Sequence, residues 1–513
     1  MVKTLEKNRQ SIIEKFENQF NILSKYPFLS LLIIGIGAII IRLIFFQNEL
    51  IFNSDNLSYF KYAIDISLTG ESPHAIYTPN NGWPLFVSIF FHFFESKNFL
   101  DYMNLQSYIS IVLSTITIIP LYFLAKKFTN SSFALISTIF FVFEPRIIQN
   151  SLIGVTDPLF ILLIVTSLAL ILQKNKFIIY GACITIALAC IIRAEGLFLI
   201  PTLCIMFLIK NKITKKNIIQ CIIFIIIIYL ILLPFSMQRI ENTGTDNLTG
   251  RIMVETQEIT KNNPNGLELK IINSFYLFIQ FLGKLMIPYL IIFVPLGIIL
   301  FLKEKNIQKS LLIIPIFFMI LPSLYAYTIP ALDSRYLFPI LPILCIIGAF
   351  SFKIYFENRK YKKIIITTII IIVIISSVLF LNYKNINIEK EQEFIELAKI
   401  VNNNTETILY VNSPILANLG SAKLSESKEF PIISSEYEND AVVLISLDFD
   451  IEDFILNMKR HGITHVVIDE QINNPKIIME VFDNYDKYEN IEKIFDSVKS
   501  GFNYKIKIFE IKY

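Results

Sequence analysis

Residues 28–46, FLSLLIIGIGAIIIRLIFF, form an almost unbroken apolar run, and the chain then turns polar and aromatic at Phe52–Ala63, FNSDNLSYFKYA. The first stretch is long enough to cross a bilayer, whose hydrocarbon core takes about 20 helical residues. The second places a carboxylate, Asp55, just beyond the end of that crossing. The pattern of a long apolar run followed by a short polar one repeats along the chain. Of its 513 residues 54% are hydrophobic, against about 45–50% in soluble domains. The sequence therefore predicts a multi-pass α-helical membrane protein. About eleven transmembrane helices are expected, at 28–46, 104–125, 131–144, 155–173, 177–192, 196–209, 217–237, 273–302, 309–329, 336–356 and 363–381.

Charge orients these spans. Lys126-Lys127, Lys174 and Lys176, Lys210 to Lys216, Lys303 to Lys309, and Lys353 to Lys363 fall in alternate loops, on the same side as the basic N-terminus. By the positive-inside rule that side is cytoplasmic. The opposite loops hold Asp55, Asp65, Glu71, Glu144, Asp157, Glu195 and Asp333, with single arginines at Arg146, Arg193 and Arg335. A net charge of +3 gives no reason to expect nucleic acid as a partner. The five cysteines, Cys183, Cys190, Cys204, Cys221 and Cys345, all lie in apolar spans. An odd, buried set argues against a disulfide framework and against a thiolate metal site. The first 25 residues read as an amphipathic stretch for the membrane surface, with no cleavable signal peptide.

Two domains are expected: a transmembrane domain over 1–383 and a soluble α/β domain over 384–513. The second comes after an odd number of crossings and so lies outside the cell. Within it, 390–402, 451–461 and 475–487 read as helices, and Ile408–Val411 and Thr464–Asp469 as strands. Ile491–Ser497 and Tyr504–Tyr513 read as a closing antiparallel pair.

Four outer segments carry residues capable of chemistry. In the first, Asp55, Tyr59 and Tyr62 share a helix face at i, i+4 and i+7, and Lys61 and Asp65 share another. On composition alone Asp55 caps a helix in a solvated loop. Trp83, in the turn Pro79–Pro84, reads as an interfacial anchor or a ring lining a substrate. The run 85–94 after it is too short to cross and reads as re-entrant. In the second segment, Asp157 before Pro158 is a helix cap or a second carboxylate that orients an acceptor or holds a cation. In the third, Arg193 and Glu195 interrupt a long apolar run, where charge is costly and usually functional. In the fourth, Arg335 and Tyr336 begin a helix. A guanidinium at a helix start suits a phosphate, and snorkelling to the interface is the alternative. Lys284 within a span reaches a phosphate or snorkels. His461 and His465 have metal-like spacing, but Gly462 breaks the helix that would align them. His74 and His92 stand alone, and Asn247 and Asn403 head Asn-x-Thr sites.

In their order and common side these segments resemble the GT-C superfamily of membrane glycosyltransferases, most closely glycosyltransferase family 39, the protein mannosyltransferases and aminoarabinose transferases. The resemblance rests on Asp55-Asn56 with Tyr59, on Pro145 and Asp157, on Arg193-Ala-Glu-Gly196, and on Arg335–Pro342, and covers most of 28–345. Asn56 stands where the family usually has Glu, and Ala194 where it usually has Pro. The Trp-Trp-Asp-Tyr-Gly signature of oligosaccharyltransferases is absent. The resemblance implies a polyprenyl-phosphate sugar donor (dolichyl or undecaprenyl), a protein, glycan or lipid acceptor, and inversion at the sugar. Asp55 is then the general base, with Arg335, Arg193 and Lys61 on the donor phosphate and Asp157 and Glu195 on the acceptor side. Tyr59, Tyr62, Trp83 and Tyr336 line the substrate. No cofactor is certain from this; a divalent cation is one option. The implied location is the plasma membrane, among its lipids. A transporter or lipid flippase is the alternative, and would place its polar groups nearer the bilayer midplane in a repeated fold.

Overall fold

The structure, a computed structural model, describes residues 26–48, 55–71, 81–243, 266–303, 307–328, 332–356, 362–384, 388–404, 408–410, 430–431, 433, 441–443, 451–460, 462–469 and 476–513. The amphipathic N-terminal stretch, His74, Asn247 and His461 lie outside the described residues. The chain divides into two units. One takes Met1–Phe46, His74–Phe86 and Gln106–Lys384; the other takes Gln47–Pro73, Val87–Leu105 and Asn385–Tyr513.

The helices open with α1 (Pro27–Phe45), α2 (Asp55–Thr69), α3 (Gly82–His92), α4 (Phe99–Ile116), α5 (Ile118–Ala125) and α6 (Ser131–Val142). Next come α7 (Pro145–Leu152), α8 (Asp157–Ile171), α9 (Lys176–Ile192), α10 (Leu199–Asn211) and α11 (Lys215–Thr243). The series continues with α12 (Gly266–Met286), α13 (Leu290–Lys303), α14 (Ile307–Thr328), α15 (Leu341–Phe356), α16 (Lys362–Tyr383) and α17 (Ile388–Asn404). Short 3₁₀ turns at Ala194–Phe198 and Ser334–Ile340 lead into α10 and α15.

Among the described residues seven helical stretches are long and apolar enough to cross a membrane, or up to nine if each of two bent pairs is one span. The pair α6–α7 bends by 52° and the pair α12–α13 by 111°. The stretch expected to span at 273–302 is thus two helices with a sharp bend between them. Pro288 interrupts it, because a proline offers no amide donor and its ring clashes with the preceding turn. Pro145 does the same between α6 and α7, where Glu144 accepts from the Ile147 amide at 2.9 Å and caps α7. Asn130 and Asn175 cap α6 and α9, each accepting a backbone N–H two or three residues on, which satisfies amides that the helix itself leaves open.

One buried charge ties four helices of this bundle together. Arg42, in α1, is completely buried. Its Nε donates to Ser151 Oγ at 3.0 Å, and its Nη2 to Ser114 Oγ at 3.0 Å. Its Nη1 donates to the carbonyls of Ala38 and Val142 at 3.2 and 3.1 Å. Val142 ends α6, so the guanidinium satisfies a carbonyl exposed by the bend before α7. None of these partners is a carboxylate, and the rigid donor fork of arginine is what lets one side chain serve four oxygens.

The second unit holds a five-stranded sheet of β1 (Ile408–Tyr410), β2 (Ala441–Val443), β3 (His465–Asp469), β4 (Ile491–Asp496) and β5 (Ile506–Ile511), in the order β2-β1-β3-β5-β4. The pairs β1–β2 and β1–β3 are parallel; β3–β5 and β4–β5 are antiparallel. Strand alternation splits the core. Val466, Ile468, Phe509 and Ile511 pack with α18 (Ile451–Arg460) and α19 (Lys476–Asn484) on one face. Val467, Ile506 and Ile508 pack with Phe394, Leu397 and Val401 of α17 on the other. Gly462, at φ +63°, makes the turn from α18 toward β3, a conformation costly for a side chain with a Cβ.

Replacing Arg42 by Leu strips four oxygens of their donor inside the bundle. We expect it to cost roughly 3 kcal/mol, read as a lower melting temperature of the detergent-purified chain in a thermal-shift assay. An unchanged melting temperature contradicts the staple.

Candidate active site

The break after α9 is built by close approach. The last turn of α9 is gripped between two glycines. A Cβ on Gly82 would sit 2.7 Å from the Ile191 carbonyl oxygen, and one on Gly196 would sit 2.8 Å from the Cys190 nitrogen. Neither position has room for a side chain. The turn ends in Arg193, which is extended at φ −149°, ψ 132°, and whose carbonyl accepts from the Gly196 amide at 3.0 Å.

That geometry turns the Arg193 guanidinium onto two carboxylates. Nη1 lies 2.7 Å from Asp157 Oδ1 and 3.4 Å from Thr156 Oγ1, and Nη2 lies 2.7 Å from Glu195 Oε1. Asp157 is buried at 1% exposure, and its other oxygen accepts from Asn150 Nδ2 at 3.1 Å. The cap expected at Asp157 is corrected: Thr156 occupies the cap position, Asp157 is the first residue of α8, and its carboxylate serves the ion pair. The guanidinium also lies 5.8 Å from the ring centres of Phe160 and Tyr336, within cation–π range. Tyr336 comes from the 334–340 turn, whose start is set by Asp333. One Asp333 oxygen accepts from the Arg335 amide at 2.9 Å and the other from Arg335 Nε at 2.6 Å. Arg335 therefore sits in a 3₁₀ turn beside a carboxylate rather than at the start of an α-helix.

A narrow crevice runs to this cluster. Phe160, Ile164, Leu199, Met319, Pro322 and Pro339 supply apolar walls, with Arg193, Glu195 and Tyr336 as its polar part. It encloses about 10 Å³, room for roughly one water. The first unit thus brings together Asp157, Arg193, Glu195 and Tyr336 among the residues singled out from the sequence.

Trp83 proves to be a core residue. It is completely buried, and its indole N–H donates to the Gly154 carbonyl at 3.0 Å. A surface anchor or an open substrate wall would need exposure, so both expectations for it are corrected. Asn81, two residues earlier, accepts from Arg239 at 2.8 Å. Sequence reading missed Arg42, Asn150 and Arg239. A lone arginine inside an apolar span was a visible signal for Arg42; a tertiary partner for Asn150 had none.

In the second unit Asp55 is the first residue of α2 and is exposed. Tyr59 and Tyr62 are buried at 5% and 3%, so they hold α2 in place rather than offering an open wall to a substrate. Lys61 is half-buried and Asp65 is buried. Among the described residues no group of three or more His, Cys, Asp or Glu side chains is placed to hold a metal ion.

The fold is that of the GT-C glycosyltransferases. The chain is similar to the oligosaccharyltransferase of Archaeoglobus fulgidus in its apo form, with a TM-score of 0.60 and 13% identity over 87% of this chain and 70% of that one. The same enzyme, AglB, in complex with an inhibitory peptide and a dolichol-phosphate matches with a TM-score of 0.56 at 13% identity, over 86% and 70% of the two chains. ArnT from Cupriavidus metallidurans bound to undecaprenyl phosphate matches with a TM-score of 0.57 at 9% identity, over 93% and 97%. Residues 90–416, more than half of the chain, match the family described as "Predicted membrane protein (DUF2079)", and the chain belongs to that family. No curated protein sequence matches it.

The Arg193–Asp157 pair is nearly solvent-free, with side-chain exposures of 11% and 1%. A double-mutant cycle with Arg193→Gln and Asp157→Asn is expected to give a coupling of about 1–3 kcal/mol in thermal unfolding. Strictly additive losses would mean that the two charges do not support each other.

Proposed function

We propose that this protein is an inverting glycosyltransferase that moves a sugar from a polyprenyl phosphate to an acceptor hydroxyl at the outer face of the plasma membrane. The observation that supports this best is the Arg193 cluster, a cation held by two carboxylates at the polar end of an apolar crevice in a chain with the GT-C fold. An isoprenoid chain suits apolar walls, and a phosphate suits a guanidinium. The crevice, which encloses about 10 Å³, must then widen when the lipid enters. The two neighbours whose structures hold dolichol-phosphate and undecaprenyl phosphate support a donor of that class.

The reaction is a single displacement. The acceptor oxygen attacks the anomeric carbon as Asp55 takes its proton. The bond from that carbon to the phosphate oxygen breaks, and the electron pair leaves with the polyprenyl phosphate. Charge grows on the phosphate in the transition state, and Arg193, Arg335 and Lys61 stabilise it. Asp157 and Glu195 orient Arg193 and the acceptor, and Tyr336 lines the donor. The acceptor is a protein, glycan or lipid hydroxyl. We take eleven crossings, α8 and α9 being added to the nine stretches above, with a cytoplasmic N-terminus and an extracytoplasmic domain over 384–513.

Membranes bearing the protein are to be assayed with radiolabelled polyprenyl-phosphate sugars. Asp55→Asn is expected to lower transfer by about 10²–10⁴-fold with an unchanged melting temperature, and Arg335→Ala to raise the donor KM by at least about tenfold. Wild-type transfer in Asp55→Asn removes that residue from the chemistry. No transfer from any donor overturns the enzyme reading.

A further inference from the structure

A guanidinium that faces two carboxylates is a poor site for a phosphate. Arg193 stands so: Nη1 donates to Asp157 and Nη2 to Glu195, each at 2.7 Å. Two carboxylates on one cation leave an excess of negative charge, which opposes a further anion. A phosphate binds well there only when one of the two gives way, and the surroundings of the two differ.

Asp157 is the fixed one. Its side chain is 1% exposed. It stands in the first turn of α8, a helix of 15 residues, and that end of a helix favours a carboxylate. Its second oxygen accepts from Asn150 at 3.1 Å, and Asn150 is itself buried. Moving Asp157 off Arg193 strands a charge in the interior, which is strongly destabilising.

Glu195 is the exchangeable one. Its side chain is 26% exposed, and it stands in a five-residue 3₁₀ turn. It forms part of the crevice wall with Arg193, as Asp157 does not. Glu195 already reaches the accessible surface, so turning it away from Arg193 buries no new charge. The same movement empties space at the polar end of a crevice that encloses about 10 Å³.

We propose that Glu195 is an exchangeable counter-ion, seated on Arg193 in the empty site and displaced by the phosphate of a polyprenyl-phosphate donor, while Asp157 keeps the guanidinium aimed. This rests on the glycosyltransferase reading. A phosphate oxygen takes over the hydrogen bond from Nη2 that Glu195 Oε1 held. The donor phosphate is a diester with a single negative charge, so one anion replaces another and the charge beside Arg193 is unchanged. The displaced carboxylate turns to an acceptor hydroxyl. The two carboxylates thus act oppositely on phosphate binding, although both are negative and both touch the same cation.

The test is a native mass spectrometry titration of the detergent-purified full chain with undecaprenyl phosphate, with undecaprenol as the phosphate-free control. Glu195→Gln is expected to tighten undecaprenyl phosphate binding by roughly three- to tenfold, and Asp157→Asn to weaken it by at least about tenfold. Glu195→Asp keeps the charge but is one methylene shorter. Its backbone cannot follow, because Gly196 is pressed against α9, where a Cβ would lie 2.8 Å from the Cys190 nitrogen. Glu195→Asp is therefore also expected to tighten binding, which a purely long-range charge effect does not do. Undecaprenol should bind the wild type and the variants alike. The inference is overturned if undecaprenyl phosphate does not bind, if either Glu195 variant binds it no tighter than wild type, if Asp157→Asn tightens binding, or if undecaprenol shows the same shifts. The Glu195 variants alone decide if Asp157→Asn does not fold. The expected shifts without transfer from any polyprenyl-phosphate donor remove the enzyme reading and leave the exchange. Transfer without the shifts removes the exchange alone.

Discussion

A charge inside a bundle this apolar must find its partners within the protein. Water is scarce there, and an unpaired ion costs several kcal/mol. Arg193 meets the requirement with two carboxylates, Asp157 and Glu195. Arg42 meets it with neutral oxygens on four helices. The difference matters chemically. The neutral oxygens around Arg42 bind a cation and hold helices together, with no carboxylate to arrange for anything else. The carboxylates around Arg193 bring negative charge and hydrogen-bond acceptors to the end of a crevice.

The two networks are linked through one short helix. Arg42 donates to Ser151 of α7, and the preceding residue, Asn150, donates to Asp157. α7 exists as a separate helix because Pro145 breaks the run from α6 and Glu144 caps the new first turn. A proline kink thus does more than bend a span. It frees the Val142 carbonyl for Arg42 and turns Asn150 toward Asp157. Close-approach glycines play the matching part on the other side, where Gly82 and Gly196 allow backbone to press on the last turn of α9 and so aim Arg193.

In the second unit the same economy appears with aromatic rings in place of charges. Phe60, Phe99, Tyr102 and Phe430 come from separated stretches of chain and pack as one cluster. Ring pairs at these separations contribute beyond simple burial. They join the helix that starts at Asp55 to a segment almost four hundred residues later in the chain, a join that no local pattern announces.

Periodicity and length alone determined that this is a helical membrane protein with an α/β domain near its end, because 20-residue apolar runs and strand alternation are local properties. Gly462, the closing antiparallel pair and the charged break at Arg193–Glu195 were readable for the same reason. Tertiary structure alone decided which polar residues meet. The sequence left Asp157 open between a helix cap and a second carboxylate, and it is an ion-pair partner; it left Trp83 open between a surface anchor and a substrate-lining ring, and it is buried; the stretch 273–302 carries a 111° bend. Strand β2, three residues long, had too little pattern to detect. In each case the outcome depended on partners distant in the chain, and one-dimensional pattern carries no information about which distant groups will share a low-dielectric interior.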